Sequence, residues 1–289
     1  MILRYLLDLK HLFKRFVLIA NVMPALFGFF IALKYYELSF MEYIGGDFVL
    51  LTVGSNLLVA GSLALNNWLE ADVDRLMERT KDRPTVTGSM SLRSILTIGI
   101  VLSIIGEILL FTINIEVGLL GFIGWYTYVV VYTVWTKRRF TWNTHVGSFS
   151  GAVTPVMGWA VVETSTLHVI PFSLFLIMFL WQMPHTYAIA IRKSEDYARS
   201  GLQMLPVIKG YQTTIRRTAI YIGLLVILPF MLDSFSMFFY LVISVLNIGW
   251  FIVALIGFKA SDKKKWARVL FVSSLIYLLS VFIIYLIFV

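Results

Sequence analysis

The sequence contains no cysteine, which removes disulfides and thiolate metal sites and leaves the redox compartment open. Charge is almost as scarce. Charged residues make up 14% of the chain against 59% hydrophobic, and mean hydropathy is +0.85, so a water-soluble globule is excluded. From Phe48 to Leu65 there is no charged residue at all. Acids are the rarer sign, 16 against 24 Lys and Arg, for a net charge of +8 and a pI near 9.6. Such a pI usually suggests nucleic acid. Here the basic residues are scattered among loops that flank apolar runs, so no nucleic acid partner is expected.

Apolar runs long enough to cross a bilayer recur along the whole chain. Nine are read, at roughly 16–36, 48–68, 94–113, 117–135, 146–162, 169–190, 218–232, 236–258 and 268–288. Backbone in lipid must satisfy its own hydrogen bonds, and uncharged runs of this length do so as helices. The expected fold is an all-α integral membrane protein, one domain over 1–289, embedded in membrane lipid as a nine-helix bundle. On this count 23 of the 24 basic residues, from Arg4 to Arg268, fall on one side, with Lys34 alone near the other. The opposite loops carry Glu37, Glu42, Asp47, Glu116, Glu163 and Asp233. The asymmetry predicts a cytoplasmic N-terminus and an outside C-terminus. Met1 to Arg15 shows neither a small-residue cleavage site nor the composition of a transit peptide, and a bacterial cytoplasmic membrane is the expected location.

Two loops on the basic side are both long and chemically rich, about 69–93 and about 191–217. The first opens with Asn66, Glu70 and Asp74 at steps of four. On a helix this drifts by about 40° per step and rises about 12 Å overall, so three oxygen donors line one stripe, while Asp72 points off it. Carboxylates crowded at the mouth of an uncharged helix repel one another. A hard divalent cation such as Mg²⁺, bridging them to a phosphate-bearing substrate, offsets that repulsion. The plainer alternative is a helix cap with a solvated face, pairing Glu70, Asp74 and Glu78 with Arg75, Arg79 and Lys81. Arg75, Arg79, Lys81 and Arg83 can clamp diphosphate oxygens as a cluster, though each singly also serves as a membrane anchor. Ser91 is placed to cap the third span.

The second loop follows a span that holds Gln182, Pro184 and His185 among apolar residues. Polar side chains inside a span call for a reason, and a flat ligand competes there with simple packing. Asp196 lies about a turn past that span and is the candidate to complete the metal site from the other loop. A surface pair with Arg192 or Lys193 is its alternative. Between the two loops, His145 enters a span carrying Gly147, Gly151, Pro155 and Gly158, small residues that favour close helix packing over a ligand pocket.

Three stretches together carry a family resemblance: Asn66 to Pro84 with MERTKDRP, Tyr132 to Trp159, and WQMPHTYAIAIRKSEDYARSGLQMLPVIKG from Trp181 to Gly210. The chain resembles the heme O synthases (protoheme IX farnesyltransferases) of the UbiA-type intramembrane prenyltransferase superfamily, over nearly its whole length. The resemblance implies transfer of a farnesyl group from farnesyl diphosphate to a vinyl group of heme B, with Mg²⁺ as cofactor. It implies Asn66, Glu70, Asp74 and Asp196 as metal ligands, with Glu70, Asp74 and Asp196 catalytic. Gln182 and His185, polar inside their span, are the candidates to face the heme, with His145 on less evidence. Two departures stand out. Glu70 replaces an Asp of the first superfamily motif, and Arg192 stands where the second motif has its first Asp, suggesting that Arg192 and Lys193 meet phosphate directly. Pathway logic alone adds heme A synthase as a protein partner. A UbiA-type enzyme with a quinone-type acceptor shares the metal site. A secondary transporter predicts acids near the midplane of several spans, where only Glu107 lies deep in one.

Overall fold

The computed structural model describes residues 2–231 and 235–289, with the backbone alone for residues 2–6. The Arg4 side chain and Asp233, both used above to orient the chain, lie outside the described residues. Among those described there are helices and turns and no strand.

Among the described residues eight helical segments are long and apolar enough to cross a membrane. They are α2 (Arg15–Tyr35), α3 (Asp47–Leu69), α6 (Leu92–Ile113), α7 with its extension (Ile115–Thr136), α9 (Val169–Arg192), α12 with a closing 3₁₀ turn (Gly210–Met231), α13 (Met237–Lys259) and α14 (Lys263–Phe288). The fifth expected span is α8 (Asn143–Trp159), of 17 residues. At 1.5 Å per residue it reaches about 26 Å, short of a hydrocarbon core of about 30 Å. Short helices fill the two rich loops: α4 (Ala71–Asp74) and α5 (Pro84–Thr87) in the first, α10 (Ser194–Arg199) and α11 (Leu205–Ile208) in the second.

Helix starts follow side-chain chemistry. The Ser94 backbone N–H donates to Ser91 Oγ (3.0 Å), capping α6 as expected. Asn114 caps α7 through the Val117 N–H (2.8 Å), and Asp262 caps α14 through the Lys265 N–H (2.9 Å). From Thr127 to Thr136 the α7 helix widens into π-helix.

Helices α2 and α8 form the spine shared by two apolar cores. One core packs α3, α6 and α7 against them, the other α9, α12, α13 and α14. The backbones touch here: a Cβ on Gly158 would collide with the Ala25 carbonyl, and one on Gly28 with the Pro155 carbonyl. On the other side of α3, a Cβ on Gly106 would come within 2.5 Å of Leu58 N. The small residues of α8 are therefore used for packing, and Gly151 takes the Gln182 amide of α9.

One element had no counterpart in the sequence reading. Residues Ile2–Phe13 form a helix, α1, that lies across the basic end of the bundle. Leu12 is buried against Ala64, Met90 and Ile95, the Leu12 carbonyl accepts from Asn67 Nδ2 (2.8 Å), and Ser89 Oγ donates to Asp8 (2.8 Å). Lys14 then turns the chain in left-handed conformation (φ 45°, ψ 57°) into α2.

Candidate active site

The stripe of three oxygen donors is real. The Glu70 N–H donates to the Asn66 carbonyl (3.0 Å) and the Asp74 N–H to the Glu70 carbonyl (2.8 Å), so helical register continues past the end of α3. Asn66, Glu70 and Asp74 are 2%, 3% and 0% exposed, whereas Asp72 points outward and receives both guanidinium nitrogens of Arg138 at 2.8 Å. That bidentate pair holds the Asp72 carboxyl below its usual range.

Each buried donor meets a cation, though not the neighbours that the solvated-face alternative named. Asp74 Oδ2 pairs with Arg83, because Thr80 Oγ1 donates to the Asp74 carbonyl (2.6 Å) and folds the loop back. Glu70 pairs with Lys137 (2.5 Å), just past the π-helical segment. Asn66 Oδ1 accepts from Lys14 Nζ (3.0 Å), and its amide donates to Thr133 Oγ1 (3.3 Å). Of the pairs that alternative expects, Glu78 with Lys81 forms, at the surface.

The cluster thus holds two carboxylates, Glu70 and Asp74, among three basic side chains, Lys14, Arg83 and Lys137. Burial pushes the Lys14 ammonium well below its ordinary range, and Arg83 pushes the same way. Burial alone would raise Glu70, but the charge and hydrogen bond of Lys137 bring it below the usual value. Burial raises Asp74, against the opposing pull of Arg83. Asp74 Oδ1 is buried with no hydrogen-bond partner. A carboxylate oxygen left bare in this way costs about 1–3 kcal/mol or more and is a hard donor suited to Mg²⁺.

The second loop docks on the first. Val73 and Met77 pack with Ala190, Tyr197, Leu202 and Met204. Asp196 is buried, accepts the Glu78 backbone N–H (3.3 Å) and pairs with Arg199 rather than with Arg192 or Lys193. The Arg79 guanidinium lies 5.7 Å from the Tyr197 ring centre. Among the described residues no three His, Asp or Glu side chains converge as a ready metal cluster. Asp196 meets the first loop at Glu78, four residues past Asp74. Arg192 lies over Phe271 of α14 (4.8 Å), Lys81 pairs with Glu78, and Arg75 is exposed.

One turn deeper than Asn66, a cavity of about 130 Å³ opens between α2, α3, α7 and α8. It is mostly apolar, with Asn21, Ser55, Ser62, Trp125, Tyr128 and Thr154 among its walls. Gly151 lines it too, which sets Gln182 at its border. Neither histidine of the sequence reading lines this cavity. His185 Nδ1 bonds Ser274 Oγ (2.8 Å) while its ring stacks on Trp181 (4.7 Å), tying α9 to α14. His145 Nε2 bonds Tyr221 OH (2.6 Å), tying α8 to α12. Lys14, Thr133 and Lys137 are the members sequence reasoning missed. The two lysines read as ordinary positive anchors beside a span, and no local signal separates them from the other basic residues.

A sequence profile of the UbiA prenyltransferase family matches residues 14–275. A protoheme IX farnesyltransferase of Oceanobacillus iheyensis is 42% identical over 276 residues, covering 95% of this chain and 87% of that one. Protoheme IX farnesyltransferase 2 of Bacillus subtilis is 44% identical over 277 residues, covering 96% and 90%. Among solved structures, one of digeranylgeranylglyceryl phosphate synthase superposes with a TM-score of 0.77 at 18% identity, covering 98% of this chain and 97% of that one. A UbiA homolog from Archaeoglobus fulgidus bound to DMAPP and Mg²⁺ gives 0.67 at 17% identity, covering 96% and 99%. The chain shares its fold with these solved structures.

Proposed function

We propose that this chain, which belongs to the UbiA prenyltransferase family, is a protoheme IX farnesyltransferase of the cell membrane. It joins the farnesyl group of farnesyl diphosphate to a vinyl group of heme B. Water adds to the same vinyl, and diphosphate leaves, giving heme O. The observation that carries the reading is the cluster of buried Glu70, Asp74, Arg83 and Lys137 with half-buried Lys14, directly above an apolar cavity, with one oxygen of Asp74 bare.

The bare oxygen and the hard donor set fit a divalent cation. Asp74, Glu70 and Asn66 would hold it, with Asp196 approaching from the second loop. Mg²⁺ bound there supplies positive charge to the departing diphosphate. The chain's own cations do the rest. Lys14, Arg83 and Lys137 already outnumber the carboxylates they face, so an anion entering the cluster balances them, and Arg79 stands at its edge. Low local dielectric strengthens this attraction and lowers the cost of ionising the allylic carbon–oxygen bond. The apolar cavity keeps water from the allylic cation until the vinyl carbon attacks. Tyr128 and Trp125 present aromatic faces on its wall to that cation.

Gln182 is the acceptor-side residue this reading keeps, because its amide borders the cavity through Gly151. His185 and His145 hold helices together. The basic end of the bundle is cytoplasmic, following the excess of Lys and Arg there. The decisive experiment incubates the purified protein in lipid nanodiscs with farnesyl diphosphate, heme B and Mg²⁺ and extracts pigment for mass analysis. Heme O is the expected product, and its formation stops in EDTA and returns with added Mg²⁺. Absence of heme O overturns the assignment, and full turnover in EDTA overturns the metal site.

A further inference from the structure

A second cavity, of about 360 Å³, opens at the basic end between α1, the start of α2 and the first loop. Its walls carry Lys10, His11, Lys14, Arg15, Arg79 and Arg83, with Asp82 as the one acid. Among the described residues Lys10, Arg15 and Arg79 make no ion pair with a carboxylate. Cations that converge on one cavity without counter-charges make a concave field that attracts an anion.

The cavity has two edges. At the inner edge Lys14 and Arg83 are bound to Asn66 and Asp74, and so belong to the diphosphate cluster. At the outer edge Lys10, His11 and Arg15 serve no such group. Arg15 lies over the Phe16 ring at 4.7 Å, an apolar surface beside its charge. Val17 lines both this cavity and the central apolar one, so the two adjoin at the start of α2. A ligand that uses both has an apolar body and an anionic head.

Heme B is such a molecule, with two propionates on the macrocycle edge opposite its two vinyl groups. Resting on the farnesyltransferase reading, we propose that Lys10 and Arg15, on the outer edge of this vestibule, bind the heme propionates. Anchored there, the macrocycle enters with its vinyl edge toward the bundle, where the allylic carbon of the farnesyl chain waits below the diphosphate cluster. The vestibule is then a specificity device. It favours a carboxylate-bearing porphyrin and gives nothing to a neutral apolar acceptor, because the attraction acts on charges that only the former carries.

The test titrates heme B and heme B dimethyl ester, whose propionates are uncharged, into the full chain in phosphatidylcholine nanodiscs, followed by the Soret band. Wild type and Lys10→Gln/Arg15→Gln are compared. Both positions are exposed, so the variant folds. The expected result is about tenfold weaker binding of heme B by the variant, the size of two partly solvated ion pairs, with the ester bound alike by both proteins. Equal weakening of acid and ester, unchanged heme B binding, or weaker farnesyl diphosphate binding in place of heme binding would each overturn the proposal. An effect that appears only in nanodiscs containing anionic lipid would do the same, because it identifies a headgroup anchor. Failure of the broader reading looks different: wild-type protein that binds heme B by this pattern and forms no heme O loses the transfer assignment and keeps the propionate site.

Discussion

The Lys137 ammonium lies 2.5 Å from the Glu70 carboxylate, both side chains buried, joining the end of the π-helical segment to the end of α3. Neither residue has a local reason to meet the other. Removing one partner of a buried pair strands the other's charge, so Lys137→Met is expected to cost about 3–5 kcal/mol of stability. Lys137→Met/Glu70→Gln, which removes both charges, should cost clearly less. Thermal unfolding of the three proteins in one detergent checks this, and equal losses for the single and double variants would rule out the pair as the cause.

Asp74→Asn keeps the size of the side chain and removes its charge. Arg83 then loses its partner, and the bare oxygen becomes a weak amide donor. Heme O formation is expected to fall about a hundredfold or more, with far-ultraviolet circular dichroism unchanged. Turnover within a few-fold of wild type would take Asp74 out of the site.

Asp196→Ala removes the acceptor for the Glu78 N–H and for Arg199, so the second loop loses its polar grip on the first. Turnover is expected to collapse while the helical bundle stays folded, because the apolar contact of Val73 and Met77 with Tyr197 and Leu202 persists. Limited proteolysis should cut the 191–217 loop faster in the variant. Wild-type turnover would confine Asp196 to its structural pair with Arg199.

Gly158→Ala drives a methyl group into the Ala25 carbonyl, and the spine of α2 and α8 must part. A loss of about 1–3 kcal/mol, with lower yield of folded protein, is expected. Gly249→Ala on α13 is the control. Nothing lies within 4 Å of its added carbon, and alanine favours a helix over glycine by roughly 0.5–1 kcal/mol. Equal melting temperatures for the two variants would show that the close approach carries no energy.

The glycine and cap positions show how far local reading goes. Ser91 was identifiable as a cap because a hydroxyl before an apolar run has one favourable use. Gly147, Gly151, Pro155 and Gly158 read as a packing face because small residues at helical spacing leave a groove. Asn66, Glu70 and Asp74 read as one stripe for the same reason: helical geometry alone lines them up. His185 shows the limit of local reading: a polar ring inside a span is more often a packing or hydrogen-bonding residue than a ligand, and only the fold supplied its partner, Ser274.

By itself the sequence determined what a bilayer enforces residue by residue: apolar lengths that become helices, basic loops gathered at one end, acids spaced along one face. Those are one-dimensional properties, since each stretch of backbone must satisfy itself in lipid whatever its neighbours do. The tertiary structure alone decided which cation each acid would meet, that half-buried Lys14 and buried Lys137 would lie beside Asn66 and Glu70, and that α1 would roof the basic end. Many lysines and arginines flank the spans with equal local claim. Only the packing of α2, α3 and the π-helical turn against one another, with the first loop folded back on Asp74, brings three of them within reach and leaves an oxygen of Asp74 bare.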